Sequence, residues 1–584
     1  MVYRTLAEVY GSIESTSSRL EVTAALARLL RSTPAPVIAR IVYLLQGKLR
    51  PDWEAVELGL GEKLAARAVA DVVKTPLAAV ASESRRQGDL GSAAETLMRH
   101  PALRPPLSVE EVYATFDRIA RLGGEGSQSR KVDLLRDLLA RASSLEARYL
   151  VRTVTGRLRI GVGDATILEG LVRAFGARRE EVERAYNLTA DLAAAATALA
   201  EHGPLALRRV RATVNSPIRP MLAERLHGVE EILARLGTRC LAEYKYDGER
   251  LQIHRRGDHV ELISRRLERV TEQYPDVVDA VRHSLRGRQL IVEGEVVAVD
   301  RTTGRLLPFQ RLMPRRRKHG VAEAVKLIPT VLFLFDALLV DGKDLTASPL
   351  RVRRALLERL LVSSDGIRLT TSRQATSPRT LEAFFREALR AGCEGLVCKD
   401  SEGRYQAGAR GWLWIKLKRE YREELKEPLD LVVVGAFHGK GRRAGTYGSL
   451  LLASYDERQD VFRTVCKCGT GFSDQELADL PRRMRRNERS RPDPRVESRL
   501  KADVWFDPKV VLEVVGGELT ISPTHTAGRA ELPDGGGLAL RFPRFTGRWR
   551  PDKGPQEATT ETEIVQMFRR AIESRPEPSR RPAT

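Results

Sequence analysis

The stretch EYKYDGERLQIH (243–254) reads as a strand, a tight turn and a second strand, with Lys245 at the end of the first strand. Lysine is scarce in this chain, where 17 of the 98 basic residues are lysine. Strand alternation places Glu243 and Lys245 on one face, next to Arg250. An amine becomes a nucleophile only when desolvation or nearby positive charge favours its neutral form. Arginine cannot do this, because its guanidinium does not deprotonate in proteins. The stretch predicts either a nucleophilic lysine or an ordinary surface hairpin.

Later strands add carboxylates and further cations. In IVEGEVVAV, Glu293 and Glu295 fall on one face of an apolar strand. Buried carboxylates are costly unless they bind a cation or accept hydrogen bonds. In GWLWIKLK, Trp414, Lys416 and Lys418 share a face, and two ammonium groups on an apolar strand require an anion. These strands therefore favour a site over a surface hairpin.

Three further stretches complete the set. FLFDALLVDG places Phe333 and Phe335 on one face, where one ring could stack on a base or both could belong to the core. GCEGLVCKD supplies Glu394 and Lys399, and ISRR supplies Arg265. Together the strands predict a pocket with a nucleophilic lysine, cations for phosphates, carboxylates for a divalent metal and a ring for a base. Such a pocket would perform nucleotidyl transfer.

The charge balance indicates a polyanionic partner. Basic residues exceed acidic residues by 98 − 77 = 21, which favours nucleic acid. A solubilising surface from a thermophile is the alternative, since 30% of the residues are charged. The five cysteines form no CxxC pair and support neither a disulfide framework nor a zinc site. No apolar run approaches the roughly 20 residues that span a bilayer, and no secretory signal is visible. We expect a cytoplasmic, nucleoid-associated protein with no membrane contact.

The chain changes texture along its length. Residues 1 to about 215 show helical periodicity, and a Pro-containing linker follows at 214–224. Strands alternate with helices up to about 421, and regularly spaced short strands with Gly-rich turns then predict a small barrel. The Pro- and Arg-rich tail at 576–584 is expected to be disordered.

One basic stretch of the helical region is a candidate DNA contact. Arg152, Arg157 and Arg159 precede IGVGDATILEGL, whose glycines and Asp164 predict a helix break and a new N-cap. Such an end would point backbone N–H groups at a phosphate. An ordinary helix–helix turn explains the same residues equally well.

The order of the motifs carries a resemblance. KYDGER (245–250), SRR (264–266), EGE (293–295), FLFD (333–336), EGLVCK (394–399), WIKLK (414–418) and RFPRF…RPDK (541–553) follow one another along the chain. This set resembles the ATP-dependent DNA ligases of archaea and, more distantly, the eukaryotic replicative DNA ligase. The resemblance covers nearly the whole chain. It implies a multidomain fold: an all-α N-terminal DNA-binding domain (1–215), an α+β nucleotidyltransferase (adenylation) domain (216–421) and a C-terminal β-barrel OB-fold domain (422–575), before the tail.

The resemblance also implies roles for residues. Lys245 would be the adenylated nucleophile, with Phe335 rather than Phe333 against the adenine. Glu295 would bind the ribose or help hold a metal, for which Glu394 is the better candidate. The remaining groups would contact the nucleotide (Glu243, Arg250, Arg265, Arg410, Lys416, Lys418) or orient the leaving pyrophosphate (Arg544, Asp552, Lys553). The implied cofactors are ATP and Mg²⁺, or Mn²⁺. The implied substrate is nicked double-stranded DNA, sealed by a monomer through lysyl-AMP and 5′-adenylated DNA in replication, repair and recombination.

Some alternatives stay open. Archaeal ligases often carry a sliding-clamp peptide, Q-x-x-aliphatic-x-x-aromatic-aromatic. RHPALRP (99–105) lacks the aromatic pair, and PRTLEAFF (378–385) has Pro378 in place of the glutamine and is expected to be a core helix. A clamp partner is therefore an open question. Another covalent nucleotidyltransferase, an RNA ligase or an mRNA-capping guanylyltransferase, is the main alternative. An NAD⁺-dependent ligase is disfavoured because no four-cysteine cluster is present, and a non-catalytic nick-binding protein is disfavoured by the intact motifs.

Overall fold

The computed structural model describes residues 1–98, 105–315, 320–362, 365–418, 428–439, 446–532 and 535–573. The described chain forms two compact units. The first contains Met1–Glu224, Asp247–Thr371 and Asp400–Trp414, and the second contains Arg225–Tyr246, Ser372–Lys399 and the chain from Ile415 onward. The predicted tail (576–584), the predicted boundary at 421/422 and all but the last residue of RHPALRP lie outside the described residues.

The α-helices, in chain order, are α1 (Tyr3–Glu14), α2 (Arg19–Ser32), α3 (Ala35–Leu45), α4 (Glu62–Val73), α5 (Leu77–Gln87), α6 (Leu90–Leu97), α7 (Val109–Arg121), α8 (Ser127–Leu139), α9 (Ser144–Val154), α10 (Asp164–Phe175), α11 (Arg179–Thr189), α12 (Leu192–His202), α13 (Val229–Leu236), α14 (Pro275–Ser284), α15 (Phe309–Leu312), α16 (Val321–Leu327), α17 (Leu350–Leu360), α18 (Pro378–Arg390), α19 (Asp474–Met484) and α20 (Glu561–Glu573).

The strands are β1 (Leu222–Arg225), β2 (Cys240–Lys245), β3 (Glu249–Arg256), β4 (His259–Ser264), β5 (Gln289–Ala298), β6 (Thr330–Val340), β7 (Lys343–Asp344), β8 (Ile367–Leu369), β9 (Ser372–Gln374), β10 (Gly395–Asp400), β11 (Arg410–Lys418), β12 (Leu429–His438), β13 (Tyr447–Asp456), β14 (Val461–Cys468), β15 (Glu488–Arg489), β16 (Val496–Glu497), β17 (Val504–Val515), β18 (Glu518–Ser522), β19 (Gly537–Arg541) and β20 (Arg544–Trp549).

The predicted helical N-terminal region is confirmed. Helices α1–α12 account for it, and its described residues up to 221 contain no named strand. The predicted break is present, because α9 ends at Val154 and α10 begins at Asp164. Gly163, not Asp164, is the N-cap. The Asp164 carboxylate instead accepts hydrogen bonds from Gln46 Nε2 at 2.7 Å and from the Tyr186 hydroxyl. The helix end is therefore tied into the helical core.

The first unit also holds a six-stranded sheet. Its order is β4-β3-β5-β6-β7, with β8 beside β6. Arg250 on β3 lies opposite Glu295 on β5, which lies opposite Phe333 on β6. The pairing of β5 with β6 has a register shift between Glu293 and Gly294: Glu293 pairs with Asp336, and Gly294 pairs with Leu334. The alternate side chains of β3, β5 and β6 enter an apolar core, which leaves the polar side chains together on the other face.

In the second unit, β2 lies between β10 and β9. Helix α18 packs beside β2, where the ring of Phe384 lies 5.0 Å from the ring of Tyr244. Leu381, Phe384, Phe385 and Ala388 are the buried residues of α18, at three- and four-residue spacing. This confirms that PRTLEAFF belongs to a core helix.

The C-terminal part of the second unit is a curled sheet in the order β15-β17-β12-β13-β14-β16, with β20 paired to β17. Its apolar interior gathers alternate residues of these strands together with α19 and α20. The predicted small barrel is thus confirmed as strand-rich and curled. All five cysteines are buried. Within the described ranges, no helix is long and apolar enough to cross a membrane.

Candidate active site

Lys245 is the last residue of β2, beside the loop that precedes β10. The backbone N–H of Glu394 donates to the Lys245 carbonyl at 2.9 Å, which holds the end of β2 beside the start of β10. The Lys245 ammonium forms an ion pair with the Glu394 carboxylate, and its side chain is 24% exposed. A strand end gives a rigid backbone and an accessible side chain, which is what an attacking amine requires.

Glu394 also pairs with the Lys418 ammonium of β11, at 3.0 Å. Burial alone would raise the pKa of the Glu394 carboxyl, but Lys245 and Lys418 outweigh burial and hold this pKa below its usual range. The carboxylate is therefore charged at neutral pH. Lys245, Glu394 and Lys418, predicted from separate motifs, lie together.

Glu243, a predicted nucleotide contact, forms a buried ion pair on β2. Its carboxylate accepts a hydrogen bond from Lys399 Nζ at 2.6 Å, and both side chains are only 2% exposed. The pair therefore bridges β2 and β10 in the interior of the sheet. Lys399 was noted in the sequence as a cation but not assigned to the site.

In the first unit, Arg250 is the centre of a second group. Its guanidinium donates to both oxygens of Glu293, at 3.0 and 2.9 Å, and to the Met221 carbonyl at 2.7 Å. The Tyr405 hydroxyl donates to Glu293 at 2.9 Å and accepts from the Met221 N–H at 3.0 Å. Burial disfavours charge on the guanidinium, but Glu293 keeps the pKa of Arg250 above its ordinary value. Tyr405 was missed, because nothing near it in the sequence points to Glu293.

Aromatic rings surround Arg250. The guanidinium carbon lies 5.3 Å from the centre of the Phe335 ring and 5.5 Å from that of Trp414. Phe335 and Trp414 meet edge to face, with centres 6.0 Å apart. Phe333 and Phe335 are both largely buried, at 6% and 8% exposure. The predicted base-stacking ring thus lies beside a predicted nucleotide cation.

The other predicted nucleotide contacts lie at more open positions. Arg265 follows the end of β4 and is exposed, and Arg410 opens β11 and is also exposed. Glu295 and Lys416 are half-buried on β5 and β11. Gly248 of the KYDGER turn packs against β5, where a Cβ would lie 2.2 Å from the Val296 carbonyl oxygen. Only glycine fits this turn.

The C-terminal motif forms its own cluster in the second unit. Lys553 Nζ and Arg550 Nη1 each lie 2.7 Å from Oδ2 of Asp430, the second residue of β12. Arg550 also donates to Asp552, and these hydrogen bonds lower the pKa of Asp552 to about 2. Arg544 is exposed at the start of β20. Asp430 was missed by the motif analysis, and Arg550, although it lies in RPDK, was given no role.

The three candidate DNA-binding arginines differ from one another. Arg152 is 4% exposed and pairs with Glu14 at 2.8 Å and with Asp89 at 2.7 Å, so its charge is used inside the helical core. Arg157 is 54% exposed and pairs with exposed Glu62. Arg159 has a positive φ of 56° and is exposed. Arg157 and Arg159 can reach a ligand, whereas Arg152 in this structure cannot.

Comparison with known proteins decides the family. Three family models match: the DNA ligase N terminus at residues 2–172, the ATP dependent DNA ligase domain at 220–418 and the ATP dependent DNA ligase C terminal region at 443–553. The chain belongs to the ATP-dependent DNA ligases. DNA ligase 2 of Thermofilum pendens is 49% identical to this ligase, covering 97% of each chain. The DNA ligase of Ignicoccus hospitalis is 47% identical, covering 99% of this chain and 100% of the other.

The solved structure named Pmar-Lig_Pre covers 93% of this ligase and 98% of its own chain, with a TM-score of 0.55 and 17% identity. That likeness concerns the fold alone. The family matches confirm the predicted architecture of a helical N-terminal region, a nucleotidyltransferase domain and an OB-fold domain. They also favour a DNA ligase over an RNA ligase or a capping enzyme. Use of ATP follows from the family.

Proposed function

We propose that this ligase seals nicks in double-stranded DNA through a covalent AMP on Lys245. The observation that carries the proposal is the placement of Lys245 at the end of β2, where it pairs with Glu394, a carboxylate that also pairs with Lys418. An accessible amine with a carboxylate partner and a second cation suits attack on a phosphate. With this activity we propose roles in DNA replication, repair and recombination, as in the family.

The reaction has three in-line displacements at phosphorus. The Lys245 ammonium first loses a proton, and the amine forms an N–P bond to the α-phosphorus of ATP while pyrophosphate leaves. A 5′-phosphate oxygen of the nick then attacks that phosphorus, and the N–P bond breaks as the nitrogen regains a proton. The 3′-hydroxyl finally loses its proton, attacks the DNA phosphate and displaces AMP. Fixed cations favour each step by neutralising charge on the phosphoryl oxygens.

The nucleotide contacts are proposed to come from the residues of the motifs. Phe335 would face the adenine, and the polar contacts would be Glu243, Arg250, Arg265, Glu295, Arg410, Lys416 and Lys418. Arg250 is supported by its position over the Phe335 ring. Glu243 would have to share its carboxylate with Lys399 or leave it when the nucleotide binds.

Mg²⁺, or Mn²⁺, is proposed as the metal, with Glu394 and Glu295 as candidate ligands. Mg²⁺ commonly binds one or two carboxylates together with substrate phosphates and water. Glu394 fits this donor set because its pKa is lowered and its carboxylate is charged. No cluster of three His, Cys, Asp or Glu side chains that could hold a metal occurs among the described residues. When bound, the metal would neutralise charge on the phosphates.

The remaining roles concern DNA and the domains. We propose that Arg157 and Arg159 contact the DNA backbone, and we do not extend this to Arg152, whose charge is buried with Glu14 and Asp89. The proposed domains are 1–215, 216–421 and 422–575. A monomer is proposed, with the sliding clamp as a partner still to be tested.

Mass spectrometry after incubation with ATP and Mg²⁺ tests the nucleophile. Wild type should gain one AMP, and Lys245→Ala and Lys245→Arg should gain none. Lys509→Arg, a change at a lysine that is 65% exposed on the barrel, is the matched control and should label fully. A full-yield adduct on either Lys245 variant would show that another residue is the nucleophile. Labelling with GTP instead of ATP would favour a capping-type enzyme.

A second experiment tests the proposed leaving-group motif, Arg544, Asp552 and Lys553. Pyrophosphate leaves only in the first step, so Asp552→Ala with Lys553→Ala should abolish sealing that starts from ATP. A nick that already carries a 5′-adenylate should be sealed at about the wild-type rate without ATP. Equal loss on both substrates would assign the motif to phosphodiester formation or folding.

A further inference from the structure

Two carboxylates lie directly opposite each other on neighbouring strands of the barrel. Asp430 on β12 pairs in register with Glu513 on β17. The two residues are 8% and 7% exposed. Like charges placed directly across a ladder destabilise a sheet, and burial adds to that cost. Such a pair is stable only with cations supplied from elsewhere in the chain.

The cations come from the end of β20 and the RPDK motif. Arg550 Nη1 and Lys553 Nζ both lie 2.7 Å from Asp430 Oδ2. Glu513 accepts a hydrogen bond from the Thr546 hydroxyl at 2.8 Å and has Arg548 at 3.7 Å. The two acids therefore contact the residues of β20 and the RPDK motif, and Asp430 is the acid that pairs with the motif's own cations.

The backbone around Asp430 is fixed at both of its polar groups. Its N–H donates to the Thr559 hydroxyl at 2.9 Å, and its carbonyl accepts from the Thr559 N–H at 2.8 Å. Its second carboxylate oxygen, Oδ1, is buried with no hydrogen-bond partner among the described residues. The other oxygen, Oδ2, thus holds Arg550 and Lys553 on a backbone that is itself held in place.

The held cations keep donors for a ligand. An ammonium has three N–H donors and a guanidinium has five. The side chains of Lys553 and Arg550 are 33% and 24% exposed while they rest on Asp430. Asp430 can therefore orient both groups without using up their capacity to bind phosphate oxygens.

We propose that Asp430 is a positioning residue for the first step, which aligns Lys553 and Arg550 with the departing pyrophosphate. The inference rests on the proposed function of the RPDK motif and extends it to a residue 120 positions away from Arg550. Charge develops on the leaving oxygen only in the transition state, so well-aligned cations should act on kcat more than on KM for ATP. The second and third steps release no pyrophosphate and should not depend on Asp430.

The test is Asp430→Asn, which keeps the shape and removes the charge. Self-adenylation of the full chain should show kcat lowered by about 10- to 100-fold, the range for misplaced catalytic groups, with KM for ATP changed by much less. Sealing of a pre-adenylated nick should stay at the wild-type rate, which also shows that the variant is folded. Asp456→Asn is the matched control, because Asp456 is a buried carboxylate of the same barrel paired with Arg463. The control should keep wild-type self-adenylation.

Four results would overturn the proposal: unchanged self-adenylation, faster self-adenylation, loss of sealing on both substrates, or an equal defect in the Asp456→Asn control. The double variant Asp552→Ala with Lys553→Ala, measured alongside, separates the role of Asp430 from the role of the RPDK motif. A defect in that double variant without one in Asp430→Asn refutes the positioning role alone. Normal self-adenylation in the double variant refutes the proposed role of the motif itself.

Discussion

Replacing Glu243 with glutamine is expected to loosen β2, the strand that carries Lys245. Glu243 and Lys399 are 2.6 Å apart, and each side chain is 2% exposed. Glutamine keeps the shape and removes the carboxylate charge that pairs with the buried Lys399 ammonium. Breaking a buried pair by removing one partner costs about 3–5 kcal/mol. Since about 1.4 kcal/mol is a factor of ten, local opening of β2 and β10 should become about 100- to 5,000-fold more frequent.

Hydrogen exchange followed by mass spectrometry measures this opening directly, in peptides that cover residues 240–245 and 395–400. Peptides from the helical region serve as the internal reference and should exchange as in wild type. The matched variant combines Glu243→Gln with Lys399→Met, because removing both charges of a buried pair is often nearly neutral. Slow exchange should return in the double variant.

The same double variant also tests the proposed nucleotide contact of Glu243. If Glu243 touches ATP, self-adenylation should stay impaired after the strand has regained its protection. Wild-type exchange in the Glu243→Gln single variant would refute the buried-pair argument. Full recovery of self-adenylation in the double variant would refute the nucleotide contact and leave Glu243 a structural residue.

Three further outcomes are expected. Tyr405→Phe should raise KM for ATP, because Glu293 loses a hydrogen-bond donor and the Met221 N–H loses its acceptor. Tyr274→Phe also removes a buried hydrogen bond to a glutamate and should leave KM unchanged. Equal KM values for the two variants would contradict this prediction. Burial, with Arg269 nearby, lowers the pKa of His254 to about 3, so stability that is present above the unfolded-state pKa near 6.5 is lost as the pH falls toward 3. In denaturant titrations His254→Gln should flatten that loss, and parallel profiles would contradict the assignment. Replacing exposed Arg157 and Arg159 with alanine should lower the salt slope of nicked-DNA binding by about two, with self-adenylation unchanged; an unaltered slope would exclude both contacts.

Much of the site is predictable because its residues obey local rules. Strand alternation identifies which side chains of β2 and of β11 share a face, and Glu394 is recognisable as a carboxylate just before β10. That Lys245, Glu394 and Lys418 meet follows from the sheet order β11-β10-β2, which no local pattern specifies. The family resemblance implied that these three residues serve one site, but the sheet order that joins them comes from the structure.

Depth along an element is harder to predict than its face. Glu243 and Lys245 share a face of β2, yet Glu243 is 2% exposed and Lys245 is 24% exposed, because the strand ends at the lysine. Arg152 looks like a member of a basic surface stretch, but α9 turns it inward to Glu14 and Asp89. Its partners lie 138 and 63 residues away, beyond the reach of periodicity.

The acids of this ligase have a common use that motif searching does not reveal. In each of the two units several candidate cations of the site pair with a carboxylate: Lys245 and Lys418 with Glu394, Arg250 with Glu293, and Lys553 and Arg550 with Asp430. These pairs stabilise clustered positive charge in the absence of ATP. The carboxylates also weaken the positive potential at these cations, so that an anion other than the substrate is attracted less strongly by charge alone. A ligand must replace the carboxylates with well-placed phosphate oxygens or share the cations with them, and a nucleoside triphosphate has the several oxygens that this exchange requires. We therefore expect the carboxylates to contribute to selectivity for the nucleotide as well as to the stability of the resting enzyme.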